Sequence, residues 1–187
     1  MKLPDRYSPI SKGFPPMVAK KEVRTEFEYS AIQKYFPRAQ NYFAITTLPP
    51  DTLSDDYLFM PTTDFYILGI LSSTVFAEWV KNLSDRDKIT LRAETMFNNF
   101  PFPVASNSQI DAIEDAFETV LKARASFSYN DLSEIYEPSK MPPQILWAHQ
   151  GLDKVVFELY GFPKEIKEVD IFEKLLSKRD ELLQKNN

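Results

Sequence analysis

The stretch from residue 66 to residue 103 constrains the fold more than any other, because its two ends require opposite backbone conformations. Its first half carries apolar residues at spacings of three and four, which predicts one wide stripe on a helix. That stripe consists of Leu68, Leu71, Val75, Phe76, Trp79 and Val80. The stretch ends on Phe100-Pro101-Phe102-Pro103, where alternate prolines force an extended segment whose rings can fill a groove. The helix is therefore expected to stop well before Phe100.

Short strands are predicted on the N-terminal side of this stretch. One is expected at Met17–Lys21, and the β-branched and aromatic residues of Asn41–Thr47 and Tyr57–Met60 indicate two more. The polar residues of Ser84–Arg92 predict a turn that leads into another short strand. This half of the chain is thus expected to form a small sheet.

Helices are predicted for the rest of the chain. Thr62 or Thr63 is expected to cap the striped helix, with Asp64 in its first turn. A helix capped by Asn107 or Ser108 should run to about residue 126, a second should run from residue 142 to residue 161, and a third should end the chain.

These patterns predict an α+β fold in two regions. Residues 1–103 should hold a small mixed or antiparallel sheet with the helix Asp64–Asn82 packed against it. Residues 104–187 should form a helical bundle. A chain of 187 residues is long enough for one large domain or two small ones.

The composition excludes most kinds of catalytic site. The absence of cysteine excludes thiolate metal sites and a cysteine nucleophile, and four glycines leave little material for phosphate-binding loops. The one histidine, His149, lies beside an apolar helical stripe, where a packing role is more common than a general base. No acidic pair stands out as a metal site. We therefore predict no catalytic residue, no metal site and no cofactor in this chain.

The net charge of −5 is unevenly distributed. Residues 1–103 hold 12 basic and 12 acidic residues, whereas residues 104–187 hold 10 basic and 15 acidic residues. An acidic total argues weakly against a free-standing nucleic-acid binder, but the balanced half can still present a basic face. The start of the chain lacks a signal-peptide core and no apolar run is long enough for a bilayer, so we expect a soluble, cytoplasmic protein without a membrane partner.

Two segments resemble a known family. Leu68–Val80 (LGILSSTVFAEWV) followed by Phe97–Pro103 (FNNFPFP) resembles the target-recognition region of adenine-specific DNA methyltransferases. Within that class the similarity is to the type IIL restriction–modification enzymes, the MmeI-like group. Residues 129–161 resemble the C-terminal segment of the same group, and the matching positions include Met141-Pro142-Pro143, Ala148-His149 and Leu152-Asp153.

The resemblance implies a DNA-specificity module with a C-terminal helical piece. The parent enzyme's adenine-N6 methyltransferase domain, and a nuclease domain if one exists, would precede this chain on the same polypeptide. S-adenosylmethionine, and magnesium for cleavage, would belong to that parent. Between Lys81 and Met96 the chain departs from the pattern, because the family's Arg-Tyr-Ser-like triplet is absent and only Arg92 takes its place, in a shifted register.

Double-stranded DNA is the partner implied, and sequence readout needs donors aimed at base edges together with cations on phosphates. The candidate DNA-binding residues with suitable donors are Arg86, Lys88, Arg92, Asn98 and Asn99. The candidate flanking phosphate contacts are Lys20, Lys21, Arg24, Lys34 and Arg38. For Lys20, Lys21 and Arg24 the commoner alternative is a solvated strand edge.

The alternative from a different class is a protein-interaction or scaffold fragment that docks the parent enzyme without touching DNA. Grouping of Arg86, Lys88 and Arg92 with Arg38 on one face would favour DNA recognition, and dispersal would favour the scaffold. An enzyme in its own right is disfavoured by the missing motifs.

Overall fold

The computed structural model describes residues 11, 14–15, 17–23, 28–47, 54–84, 88–127 and 132–186. Within these ranges, small antiparallel sheets occupy the N-terminal region and long helices occupy the C-terminal region. The predicted α+β class is confirmed.

Two antiparallel sheets make up the strand half. The strands are β1 (Val18–Ala19), β2 (Ser30–Gln33), β3 (Tyr35–Pro37), β4 (Ile45–Thr47), β5 (Tyr57–Met60) and β6 (Lys88–Thr90). Four of them form one sheet in the order β1-β5-β2-β4, and β3 pairs with β6 in a separate two-stranded ribbon. Strand β5 lies where the sequence predicts it, but only the last three residues of the predicted strand Asn41–Thr47 are strand, and Lys20–Glu22 form a 3₁₀ turn.

The α-helices of the described residues are α1 (Phe65–Leu71), α2 (Thr74–Leu83), α3 (Asn107–Arg124), α4 (Leu132–Ile135), α5 (Pro143–Tyr160) and α6 (Glu168–Asn186), and Ala93–Phe97 form a π-helical turn. A single helix over Asp64–Asn82 was the expectation, and that expectation is wrong because the chain breaks at Ser72-Ser73. The Ser73 hydroxyl donates to the Ile70 carbonyl at 2.6 Å, a local bond that competes with helix continuation.

Two helix caps also differ from the predicted ones. Asp64, rather than Thr62 or Thr63, caps α1, because its Oδ1 accepts hydrogen bonds from the N–H groups of the first turn. Ser106, rather than Asn107 or Ser108, caps α3 and forms a capping box with Gln109. The predicted ends of α5 are confirmed: Pro142 precedes it, and Gly161 ends it with φ of 69°, a left-handed conformation that favours glycine.

The Phe-Pro segment fills the core of this chain. The rings of Phe100 and Phe102 are 0% and 3% exposed and meet edge to face at 4.9 Å. The hydroxyl of Tyr160 donates to the Pro101 carbonyl at 3.1 Å, so helix α5 holds the segment in place. The groove that these rings fill therefore belongs to the chain itself.

Helices α1 and α3 approach closely at Gly69. A Cβ atom at this position would lie 2.7 Å from Cγ2 of Ile113 and 3.3 Å from Cβ of Phe117. Buried apolar residues of the sheet, of α1 and α2 and of the C-terminal helices form one continuous core around this crossing. The strand half and the helical half thus pack together through one shared core.

Candidate nucleic-acid interface

The β3–β6 ribbon brings separated cations together. Its register pairs Tyr35 with Thr90, Phe36 with Ile89 and Pro37 with Lys88. Arg38 directly follows Pro37, so it lies at the same end of the ribbon as Lys88. B-DNA admits a two-stranded β-ribbon of this kind in its major groove.

One face of this ribbon points to solvent. Phe36 and Ile89 are 4% and 0% exposed, and in an extended chain their neighbours must point the opposite way. Arg92 has extended backbone with φ of −122° and continues the alternation beyond β6. We define the ribbon face as the outward-pointing residues Tyr35, Pro37, Lys88, Thr90 and Arg92 together with the adjacent Arg38.

The ribbon face carries an exposed aromatic ring beside Lys88, and Arg38 at its Lys88 end. The Lys88 ammonium lies 5.5 Å from the centroid of the Tyr35 ring, and that tyrosine is 49% exposed. The Arg38 guanidinium donates to the Lys81 carbonyl at 3.3 Å, near the C-terminus of α2. A helix C-terminus carries partial negative charge, so it favours a cation there.

Further cations meet at one acidic residue beside the ribbon. The Lys34 ammonium donates to the backbone carbonyl of Asp55, and the Lys20 ammonium lies 4.0 Å from the carboxylate of that residue. The N–H of Leu91 donates to the Lys34 carbonyl at 2.8 Å, so Lys34 lies at the Arg92 end of the ribbon. Lys34 and Lys20 therefore add cations beside the Arg92 end of the ribbon face.

The remaining candidates have different positions. Arg24 and Arg86 lie outside the described residues. Lys21 is exposed beside Lys20, whereas Asn99 is half-buried. Asn98 is 4% exposed, and its amide has no hydrogen-bond partner among the described residues. The ribbon face does not include Asn98, because the turn that carries it leads into the buried Phe-Pro segment.

Sequence reasoning missed Tyr35 and Pro37, since no strand was predicted there. No local signal was available, because residues 32–36 (IQKYF) do not alternate between apolar and polar side chains as the assignment of a half-buried strand requires. A proline at the end of a short strand is compatible with such an assignment.

A buried polar cluster accounts for His149. Its Nδ1 lies 3.1 Å from the Ser72 carbonyl, which can only accept, so Nδ1 carries the proton. The Tyr136 hydroxyl then donates to Nε2 at 2.8 Å. Burial lowers the pKa of the His149 imidazole to about 3, and the Arg124 guanidinium acts in the same direction. This arrangement agrees with a neutral packing residue.

Asp153 belongs to the same cluster. Its carboxylate accepts hydrogen bonds from Thr74 at the start of α2 and from the Tyr42 hydroxyl. Burial raises the pKa of the Asp153 carboxyl, and the hydrogen bonds from Thr74 and Tyr42 act in the opposite direction. The Tyr42 ring stacks on the His149 ring at 4.3 Å. The Ala148-His149 and Leu152-Asp153 pairs of the sequence motif thus connect α5 to the N-terminus of α2.

Two negative findings concern the described part of the chain. No group of three or more histidine, aspartate or glutamate residues there could hold a metal ion. None of the helices described there is long and apolar enough to cross a membrane.

Comparisons with known proteins agree with the sequence motifs. Residues 105–185 match the family described as MmeI, C-terminal domain. A DNA methyltransferase A from Bacillus subtilis (strain 168) is 36% identical over 99 residues, which are 52% of this chain and 11% of that protein. The type IIL restriction–modification enzyme MmeI, solved in complex with DNA, matches with a TM-score of 0.80 and 27% identity over 87% of this chain and 22% of MmeI. The chain therefore spans less than a quarter of either relative, and the resemblance predicted from the sequence is confirmed.

Proposed function

We propose that this chain, whose residues 105–185 belong to the MmeI C-terminal domain family, is the DNA-recognition module of a restriction–modification adenine-N6 methyltransferase. The observation that supports this role is the ribbon face, which carries Arg38, Lys88 and Arg92 and on which the Lys88 ammonium lies over the exposed Tyr35 ring. The module would position target DNA for a catalytic domain that this chain lacks.

The ribbon face has the chemistry that base and phosphate contacts need. Arginine and lysine can bind the O6 and N7 acceptors of guanine, and lysine also pairs with phosphates. Lys88 and Arg92 on β6 and its extension would enter the major groove. Lys20, Lys21 and Lys34 would contact the flanking phosphates, and the acidic C-terminal helices would face the parent enzyme.

The other parts of the activity would lie on the parent polypeptide. Its methyltransferase domain would bind S-adenosylmethionine and transfer the methyl group to adenine. Cleavage, if the parent has a nuclease domain, would use magnesium. An enzyme that modifies the DNA of a bacterium works where that DNA lies, so we propose the cytoplasm as its location.

The experiment is a fluorescence anisotropy titration with a random-sequence DNA duplex at several salt concentrations. It compares the unmodified chain with the triple variant Arg38→Ala/Lys88→Ala/Arg92→Ala. The control triple variant Lys154→Ala/Lys164→Ala/Lys167→Ala removes three exposed cations of the C-terminal region instead. If three phosphate contacts are lost, the slope of log K against log salt should fall by up to about 3 for the ribbon variant.

The second candidate function is a scaffold that docks the parent enzyme without touching DNA. The observation in its favour is Trp147, a large aromatic that is 67% exposed on α5. Equal DNA binding by both triple variants would remove the ribbon face from the interface. If the unmodified chain does not bind at low salt, the same titration with the full-length parent separates a scaffold from a recognition module that needs its catalytic domain.

A further inference from the structure

A groove lies on the opposite edge of the four-stranded sheet from β1. It has a volume of about 480 Å³ and runs between strand β4 and helices α1 and α3. Its helical wall is apolar and includes Phe65, Leu68, Phe117 and Leu121. This volume is in the range of sites that hold a small ligand or a few residues of peptide.

The edge of β4 forms the opposite wall. Ile45, Thr46 and Thr47 all line the groove, although successive side chains of a strand point to opposite faces. The lining by three consecutive residues indicates that the backbone edge of β4 faces the groove. Strand β4 pairs with β2 on its other side, and no strand of the described residues pairs with this edge. Such an edge is a template for an added strand.

Arg124 places a positive charge in the wall of this groove. The residue is 8% exposed, and its Nη2 donates to the Ile45 carbonyl at 3.0 Å. Among the described residues no aspartate or glutamate forms an ion pair with Arg124, although buried charges are normally paired. A guanidinium in the wall of an apolar groove is therefore complementary to a carboxylate with apolar neighbours.

We propose that this groove binds an extended protein segment by strand addition to β4. The segment carries an aspartate or glutamate whose carboxylate pairs with the Arg124 guanidinium. Its apolar side chains, two residues apart, enter the groove between β4 and α3. This function is separate from DNA recognition, because the groove is lined by different strands from the ribbon face.

The test is a selection of random octapeptides, displayed on their encoding mRNA, against the whole chain. We expect enrichment of peptides with one acidic residue between apolar residues at alternate positions. For a selected peptide, Arg124→Gln should raise the Kd about tenfold or more, because a charge-assisted pair is lost. Phe127→Ala, which shortens an apolar side chain of the lining, should also weaken binding, whereas Trp147→Ala, at an exposed position outside the lining, should not.

The mode of binding is tested on the peptide itself. Methylation of every second backbone nitrogen of the peptide can be made on either of two alternating sets of residues. It should abolish binding for the set whose N–H groups face β4 and not for the other set, because strand addition uses main-chain hydrogen bonds. Three outcomes overturn the proposal. The first is no enrichment of the acidic and apolar pattern, and the second is that the Arg124→Gln and Phe127→Ala variants bind the peptide as tightly as the unmodified chain. The third is displacement of the peptide by hexanoate together with binding that backbone methylation does not change. The last outcome would indicate a site for a small carboxylate.

Discussion

Asp153 of helix α5 binds the first residue of helix α2, Thr74, with both carboxylate oxygens. Oδ1 accepts the Thr74 backbone N–H at 2.8 Å, and Oδ2 accepts the Thr74 hydroxyl at 2.6 Å. Ser73 occupies the N-cap position of α2 but makes no side-chain cap hydrogen bond. The C-terminal region therefore supplies the cap for a helix whose other end contacts Arg38 of the ribbon face.

Removing this cap should destabilise the whole chain. We expect Asp153→Ala to lower the free energy of unfolding by about 2–4 kcal/mol, because a cap is lost and buried donors are left unpaired. Urea unfolding followed by circular dichroism measures the change. The matched control is Asp115→Ala at an exposed position of α3, which should stay within about 0.5 kcal/mol. Equal small effects for both variants would show that the carboxylate does not act as a cap.

The pH dependence of stability should carry the signature of His149. Its pKa is about 3 in the folded chain and 6.5 ordinarily, so between these values the unfolded state binds a proton that the folded state excludes. Stability from this group is therefore present above pH 6.5 and is lost as the pH falls. From pH 7.5 to pH 5.0 we expect a loss of about 2 kcal/mol.

The variant His149→Gln isolates this effect, since the chain holds one histidine. Asp153, whose pKa is raised, contributes with the opposite sign, but that contribution is common to both proteins and cancels in the difference. The folded-state imidazole resonances should not move between pH 7.5 and pH 5.0. A midpoint near 6.5 in the folded protein would show that the ring is accessible to protons.

The crossing of α1 and α3 should not tolerate a methyl group. We expect Gly69→Ala to cost about 1–3 kcal/mol, because the new Cβ would lie 2.7 Å from Cγ2 of the β-branched Ile113. The control is Gly151→Ala on α5, where a Cβ meets nothing within 4 Å. That variant should gain about 0.5–1 kcal/mol from helix propensity. Stabilisation by both substitutions, measured by urea unfolding, would contradict the close packing.

The sequence predicts the helical half better than the strand half for a physical reason. Helices α3 and α5 are predicted by the local periodicity of their apolar residues. The ends of α5 are predicted by Pro142 and Gly161. Strand β3 has only three residues, and it is defined by pairing with β6, which is distant in the sequence. The break at Ser72-Ser73 lies inside an unbroken apolar stripe, and His149 and Asp153 bind the groups around it.

In the candidate interface too, the residue types could be predicted from the sequence, whereas their arrangement on one face could not. The family resemblance together with residue type identified Arg38, Lys88 and Arg92 as possible contacts. That they share one face depends on the register that pairs Pro37 with Lys88, which no local pattern fixes. Asn98 has suitable donor chemistry, but the neighbouring phenylalanines draw its turn into the core.

The most direct test of DNA recognition is a photocross-link from the ribbon face. One variant carries p-benzoylphenylalanine in place of Tyr35, and the matched control carries it in place of Trp147, which is also exposed. Irradiation with a DNA duplex at low salt should cross-link the Tyr35 variant and leave the Trp147 variant free. Addition of Arg38→Ala/Lys88→Ala/Arg92→Ala should abolish the cross-link. DNA binding without a cross-link at position 35, or with equal cross-linking at position 147, would contradict the ribbon face as the DNA-binding surface.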